Sequence, residues 1–386
     1  MTIGGAGMYG VTVALPPVQA EFGLSRSDAS LPYTLTMVGF ALGGILMGKL
    51  SDRFGVLVPV LIGGTALGLG FIAAGNAAGP WQFALTHGVL IGLFGSSATF
   101  VPLVADISLW FTRRRGLAVA ICASGNYLAG TLWPPVLQHF FDEFGWRATY
   151  IGTGVFCWVS MLALSLLLRK RPPAVGTAAA QPAARSQSPL ELSPNALTTL
   201  LTIAAVACCA GMAMPQVHIV AYCGDLGYGA ARGAEMLSLI FGAGIISRVL
   251  WGWVSDHIGG LRTLLSGAVL QAVALALFLP VESLRSLYIA SALFGLFQGG
   301  LVPAYAIIVR EYLPPREAGT RVGVVLTATL FGMGLGGWLS GAIFDLSGSY
   351  HPAFVVGIGW SLVTASIAHW LLRRGWARER LAPAAP

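Results

Sequence analysis

FGAGIISRVLWGWVSDHIGG, residues 241–260, decides how the chain is read, because it places Arg248 inside an apolar helix and follows it with a charged turn that the chain uses twice. An arginine in hydrocarbon costs about 2.5–3.5 kcal/mol on insertion scales, so Arg248 faces protein or water and is a candidate site residue. At helical spacing its face reads Leu237, Phe241, Gly244, Arg248, Gly252 and Ser255, and the two glycines leave room for something to approach the guanidinium. The bland alternative is snorkelling, since the apolar run ends about six residues later, roughly 9 Å along the axis. Against it, side chains lean toward the helix N-terminus, which aims this guanidinium away from that end.

Composition sets the class. Of 386 residues 56% are hydrophobic and only 10% charged, with a mean hydropathy of +0.76. A soluble domain carries about a quarter charged residues, so this is a polytopic membrane protein. All five cysteines (Cys122, Cys157, Cys208, Cys209, Cys223) fall in or beside apolar segments with no C-x-x-C, which reads as packing rather than a disulfide framework or a metal site. No Walker A run, H-E-x-x-H or G-x-S-x-G is present, so an ATP-driven pump, a membrane hydrolase and any cofactor are unsupported.

Apolar segments cover 3–18, 31–49, 56–75, 81–107, 116–140 and 147–168, then 197–222, 233–254, 261–280, 286–309, 321–343 and 352–372. The expected fold is therefore all-α, with twelve transmembrane helices in two bundles of six. The first segment has about 16 residues and the first basic residue is Arg26, so it reads as a spanning helix whose start lies upstream rather than as a signal peptide. Of the 22 Lys and Arg, 17 lie in or beside the even-numbered connections and the C-terminus, four beside the odd ones, and Arg248 inside a helix. The positive-inside rule then puts both termini in the cytoplasm, and the pI of about 9.4 is a topology signal rather than a sign of nucleic acid.

A stretch rich in Pro, Ala, Ser and Gln, PPAVGTAAAQPAARSQSPLELSP at 172–194, separates the halves. The domain reading is a bundle over 1–168, a cytoplasmic linker over 169–196, a second bundle over 197–373 and a cytoplasmic tail over 374–386. An internal repeat supports the cut: GKLSDRFG at 48–55 returns as GWVSDHIG at 252–259, an offset of 204, and FDEFG at 141–145 returns as FDLSG at 344–348, an offset of 203. The spaced pairs Gly44/Gly48, Gly64/Gly68, Gly88/Gly92 and Gly332/Gly336 fit close helix packing, and GMGLGG at 332–337 follows no strand and is not a nucleotide loop.

On these residues the chain resembles the major facilitator superfamily, and within it the monocarboxylate porter group that includes oxalate/formate exchangers. GKLSDRFG is similar to the superfamily signature between helices two and three, and WFTRRRGLAVAICASGNYLAG at 110–130 to the porter group's signature entering helix five. VHIVAYCGDLG at 217–227 resembles a run common in bacterial members. The resemblance implies that Arg248 binds the substrate carboxylate, and that Asp52 with Arg53, echoed by Asp256, pins the cytoplasmic ends of the halves; a plain turn role for the two aspartates is the alternative. The chain departs from animal members, which carry a helix-one lysine and an aspartate where Gly244 stands, and from oxalate exchangers, which carry a helix-eleven lysine. Some bacterial relatives have a tyrosine where Phe100 stands.

Tyr305, Asn126, Tyr127, Gln298 and Tyr9 offer hydrogen bonds to a carboxylate or a neighbouring hydroxyl, or else bridge helices. His218, after Pro215 near the outer end of helix seven, is a candidate proton or substrate contact, with a structural histidine the equal alternative. Arg113, Arg114 and Arg115 read as a lipid-headgroup patch. The expected function is a secondary transporter of a small monocarboxylate or related organic anion by alternating access in the plasma membrane, acting as a monomer, with protons a candidate coupling partner. The rivals are an exporter of another organic solute or drug, whose usual mark is a buried acid rather than a buried cation, and a non-transporting receptor on the same fold.

Overall fold

The computed structural model describes residues 1–111, 115–169, 192–280 and 283–381, and nearly all of them are helical. In chain order the helices are α1 (Ala6–Phe22), α2 (Arg26–Phe54), α3 (Leu57–Gly75), α4 (Pro80–Leu85), which continues as a π-helix (Thr86–Ser96), α5 (Val101–Trp110) and α6 (Arg115–Ser165). There follow α7 (Pro194–Asp225), α8 (Ala230–Ile258), α9 (Gly260–Ala276), α10 (Leu284–Gln298), α11 (Leu301–Tyr312), α12 (Pro315–Ser347) and α13 (His351–Leu381). Two crossings sit inside α6, divided at Gly145 with φ 77°. Conversely, α4, the π-helix and most of α5 form one apolar span over Pro80–Ile107, and α10 with α11 another over Leu284–Tyr312. Counted so, the described residues make twelve crossings, as the hydropathy pattern predicts. Residues 170–191 of the expected linker, Arg113 and Arg114 of the basic patch and 382–386 of the tail lie outside the described residues.

The interruptions of helices four and ten are not visible in hydropathy, where both segments run on without a polar gap. In helix ten the break falls at Gly299 and Gly300, just before α11, whose third residue is Pro303. Proline has no N–H to return to the carbonyl four residues back, and paired glycines give the helix little reason to persist. Pro102 stands just inside α5 in the same way.

The repeated motifs close for a backbone reason. Gly55 and Gly259 end α2 and α8 at φ 82° and 80°, their N–H groups donating to Ser51 O and Ser255 O at 2.8 and 2.9 Å. In the other motif Gly145 and Gly348 take φ 77° and 69°. This left-handed region is open to glycine at little cost, so each motif ends on one.

Contacts group the chain into two compact units that do not follow the repeat boundary. One comprises the described residues of Met1–Thr177 with Met214–Gly242 and Gly337–Tyr350; the other those of Ala178–Ala213 with Ala243–Gly336 and His351–Pro386. In the first unit, glycines bring backbones together: a side chain at Gly68 would meet Trp158 Cβ and the Gly154 carbonyl, and one at Gly92 the Thr36 carbonyl at 2.6 Å. In the second, Gly332 and Gly336 lie on the α7 backbone at Val206 and Ala210. The Gly44/Gly48 pair is looser, since a Cβ there would sit 3.2 and 3.5 Å from Val101 methyls. Forcing a side chain into a tight contact costs typically ~1–3 kcal/mol. Gly336→Ala should therefore lower the melting temperature of the detergent-solubilised protein by several degrees while Gly48→Ala leaves it within about a degree, as read by size-exclusion after stepped heating.

Candidate functional site

Arg248 lies in α8, half-buried, beside the fully buried Ser247 and Gly244. What surrounds it in its own unit is the break in helix ten. Ser247 Oγ donates to Leu296 O at 2.5 Å and accepts from the Gly299 N–H at 3.0 Å, while Trp251 Nε1 donates to the same carbonyl at 3.2 Å. A side chain at Gly299 would come within 2.9 Å of the Arg248 backbone nitrogen. Gln298, the last residue of α10, is only 1% exposed at this junction. Tyr305 does not join it: the ring is fully buried elsewhere in the unit, beside Cys208, Cys209 and Thr364. The break explains the difference, because a helix that restarts at Leu301 no longer carries the facing of the segment before it.

In the other unit, Tyr9 and Tyr127 are brought together about Phe241. Their ring centroids stand 4.5 and 5.7 Å from that of Phe241, both edge-to-face. Gly130 makes room for the phenylalanine, and Ser238 Oγ donates to the Thr131 carbonyl one residue on. Asn126, half-buried, flanks the start of α1, where Thr2 Oγ1 donates to Gly125 O at 3.1 Å and Trp133 Nε1 to Thr2 O at 2.8 Å.

His218 is fully buried with both ring nitrogens engaged, Nε2 2.7 Å from the Gly337 carbonyl and Nδ1 3.0 Å from Tyr350 Oη. A carbonyl can only accept, so Nε2 carries a proton, and Nδ1 faces the Tyr350 hydroxyl.

One charged cluster was not singled out from sequence. At the N-terminus of α2, Asp345 accepts from the Arg26 N–H (2.7 Å), the Ser27 N–H (2.8 Å) and Ser27 Oγ (2.6 Å). The Arg26 guanidinium donates to Asp225 Oδ1 at 2.6 Å and lies 5.2 Å over the Phe344 ring. A carboxylate there satisfies free backbone donors and complements the helix dipole. All these groups belong to one compact unit, where they fasten α7 and α12 to α2. The motif FDLSG holds Asp345, but its counterpart Asp142 in FDEFG is exposed and accepts from Gln138 Nε2, one turn back on its own helix, at 2.8 Å. Repetition alone therefore does not mark which copy acts. Nearby in the same unit, Glu21 at the end of α1 accepts from Arg147 Nε and Nη2 at 2.9 and 2.6 Å and from Trp146 Nε1 at 2.6 Å. The Arg147 guanidinium, with Trp146, holds this carboxyl below the ordinary range.

Asp52 and Arg53 are exposed in the last turn of α2, where the Arg53 guanidinium lies 5.1 Å over the Phe54 ring. Asp256 is likewise exposed near the end of α8. Among the described residues no cluster of histidine, cysteine or acidic side chains has the grouping of a metal site.

The sequence model described as Major Facilitator Superfamily matches residues 1–280 and 225–385. Monocarboxylate transporter 13 of Bos taurus is 30% identical over 339 residues, covering 85% of this chain and 75% of its own. Its Rattus norvegicus counterpart is 30% identical over 335 residues, with the same coverage. The Agnestins efflux protein AgnL12 of Paecilomyces divaricatus is 25% identical over 315 residues, covering 80% of this chain and 70% of its own. Among solved structures, a bacterial homolog of the human lysosomal transporter Spinster, inward-facing and unoccupied, superposes with a TM-score of 0.77 at 16% identity over 99% of this chain and 96% of that one. A point mutant of the nucleoside transporter NupG superposes with a TM-score of 0.76 at 14% identity over 96% of both. With its twelve crossings, its repeated SD-loop and these matches, the chain belongs to the major facilitator superfamily, in its monocarboxylate porter group.

Proposed function

We propose that the chain is a secondary transporter of a small monocarboxylate or related organic anion, with Arg248 holding the carboxylate. The observation that carries this reading is a half-buried guanidinium in the middle stretch of α8, residues 236–255, where Arg248 is the only charged residue. A single cation suits a single carboxylate, and arginine offers it a planar pair of donors. Gln298 stands at the adjoining break, and Tyr9, Tyr127 and Asn126 are proposed as further contacts during the cycle. Transport runs by alternating access across the plasma membrane, with both termini in the cytoplasm as the distribution of Lys and Arg requires.

Two gates follow from this reading. Arg26, Asp225 and Asp345 form the outer gate, in its closed state when their hydrogen bonds are made. His218 belongs with it, because taking a proton at Nδ1 would force the Tyr350 hydroxyl to turn from donor to acceptor. Asp52, Arg53 and Asp256 form the cytoplasmic gate, made when the outer one is broken. Alternation requires only that each set be satisfied in one state, with differential energies typically ~1–3 kcal/mol.

Arg248→Ala and Arg248→Lys should each abolish uptake of labelled monocarboxylates into proteoliposomes without lowering the yield of folded protein, because a point charge does not replace the bidentate fork. Near-normal uptake by either variant sinks the assignment. Asp345→Ala removes three hydrogen bonds from the α2 N-terminus, so cysteines placed on the outer side should label about 5–150-fold faster while equilibrium binding persists. For Asp52→Asn the expectation runs the other way: uptake slows much more than binding weakens, and outer labelling becomes slower. Equal losses of binding and uptake with unchanged labelling return Asp52 to a turn residue.

A further inference from the structure

The break in helix ten and its equivalent in helix four are capped differently, and the difference falls beside Arg248. A GLF run at Gly92–Phe94 and again at Gly295–Phe297 equates Leu93 with Leu296 at the offset of 203 that also relates FDEFG to FDLSG. In the first half Ser97, four residues after Leu93 on the same helix, donates its hydroxyl to the Leu93 carbonyl at 2.5 Å. The neighbouring helix contributes only Gly43, whose missing side chain lets α2 close on that carbonyl. In the second half the residue four after Leu296 is Gly300, which has no hydroxyl to give. The cap comes from the neighbouring helix instead: Ser247, which the 204 offset equates with Gly43, reaches Leu296 O at 2.5 Å.

Serine and glycine have thus exchanged places between the paired helices. Either arrangement satisfies the carbonyl, which hydrocarbon demands, so satisfaction alone does not explain the exchange. What differs is the mechanical result. In the first half the cap is internal to helix four. In the second, Ser247 is bonded to the end of α10 where the helix breaks, to Leu296 O and to the Gly299 N–H, with Trp251 Nε1 on the same carbonyl. Gly299 and Gly300 permit the approach, since a side chain at either would run into Ser247 or Trp251. The residue after Ser247 is Arg248; its counterpart after Gly43 is Gly44. The clamp across two helices occurs in the half that carries the half-buried Arg248.

We infer that Ser247, seated by Gly299 and Gly300, is the positioning residue for Arg248: it ties the arginine's backbone to the end of α10 at the break in helix ten, so that the guanidinium is held at one depth. The inference rests on the reading of Arg248 as the carboxylate site, and its test has one arm that does not.

Ser97→Ala deletes one hydrogen bond and Ser247→Ala two, so both should lower the thermal unfolding temperature, Ser247→Ala by at least as much. In proteoliposome uptake of labelled L-lactate and pyruvate, Ser247→Ala should raise KM about 5- to 10-fold with less than a twofold change in maximal rate, and Ser97→Ala should leave KM unchanged. The second arm needs no substrate: the thiol of an Arg248→Cys variant is alkylated with a charged methanethiosulfonate, counted above the labelling of the parent chain. Adding Ser247→Ala should change that rate at least fivefold; adding Ser97→Ala should not. Equal KM shifts in the two serine variants, or an alkylation rate indifferent to Ser247, overturn the inference and leave the hydroxyl a plain cap. Full uptake by Arg248→Lys instead overturns the carboxylate reading, and the alkylation arm still decides whether Ser247 fixes position 248.

Discussion

Hydrocarbon offers no water to a backbone, so every N–H and C=O inside the membrane must find its partner within the protein. Helices meet that demand along their length, and the places where they stop or break are where this chain spends its polar side chains. Asp345 serves the N-terminus of α2, and Glu311 that of α9, through the Gly260 N–H 3.2 Å from each of its oxygens. Arg321 reaches the Pro194 carbonyl at 3.0 Å and Thr198 Oγ1 at 2.7 Å at the start of α7. Two serines serve the broken helices. Each such group is also a joint, because the side chain that completes one helix usually belongs to another.

That double role links stability to mechanism. A latch made of backbone donors and a carboxylate can be abandoned only if water or another group replaces it. The end of α2 at Arg26 and Ser27 is half-buried at the membrane margin, where water can do so. The clamp at Leu296 is enclosed: Ser247 is fully buried, and no exchange with solvent is open to it. The first is suited to being made and broken in each cycle, the second to staying made while its surroundings turn. Tyr9, Tyr127 and Phe241, packed edge to face, sit with the first.

The parts legible in the sequence are those whose cause is local. A cation in an apolar helix is costly enough to announce itself, and the two repeated motifs end on glycines whose left-handed φ is a property of one residue. Hydropathy found the crossings because length and apolarity suffice for that. The Asp345 cap escaped because its partners stand 318 and 319 positions away, and nothing in FDLSG distinguishes it from the exposed copy in FDEFG. Tyr305 is a candidate from sequence yet lies away from the junction at Arg248. Its hydroxyl makes it a candidate, but where that hydroxyl points depends on the interruption at Gly299 and Gly300, which resets the facing of everything in α11.

The π-helix of helix four has a history written in residue counts. Its cap, Gly79, precedes the GLF glycine by 13 positions, whereas Ser283, the cap of α10, precedes its own by 12. One surplus residue is thus housed in the wide turns of Thr86–Ser96, where i to i+5 bonding packs more chain into the same rise. The difference falls within the span, where the offset between the halves changes from 204 to 203. The π-helix therefore lets two copies of one helix differ in length by a residue inside the span, an accommodation usually left to surface loops.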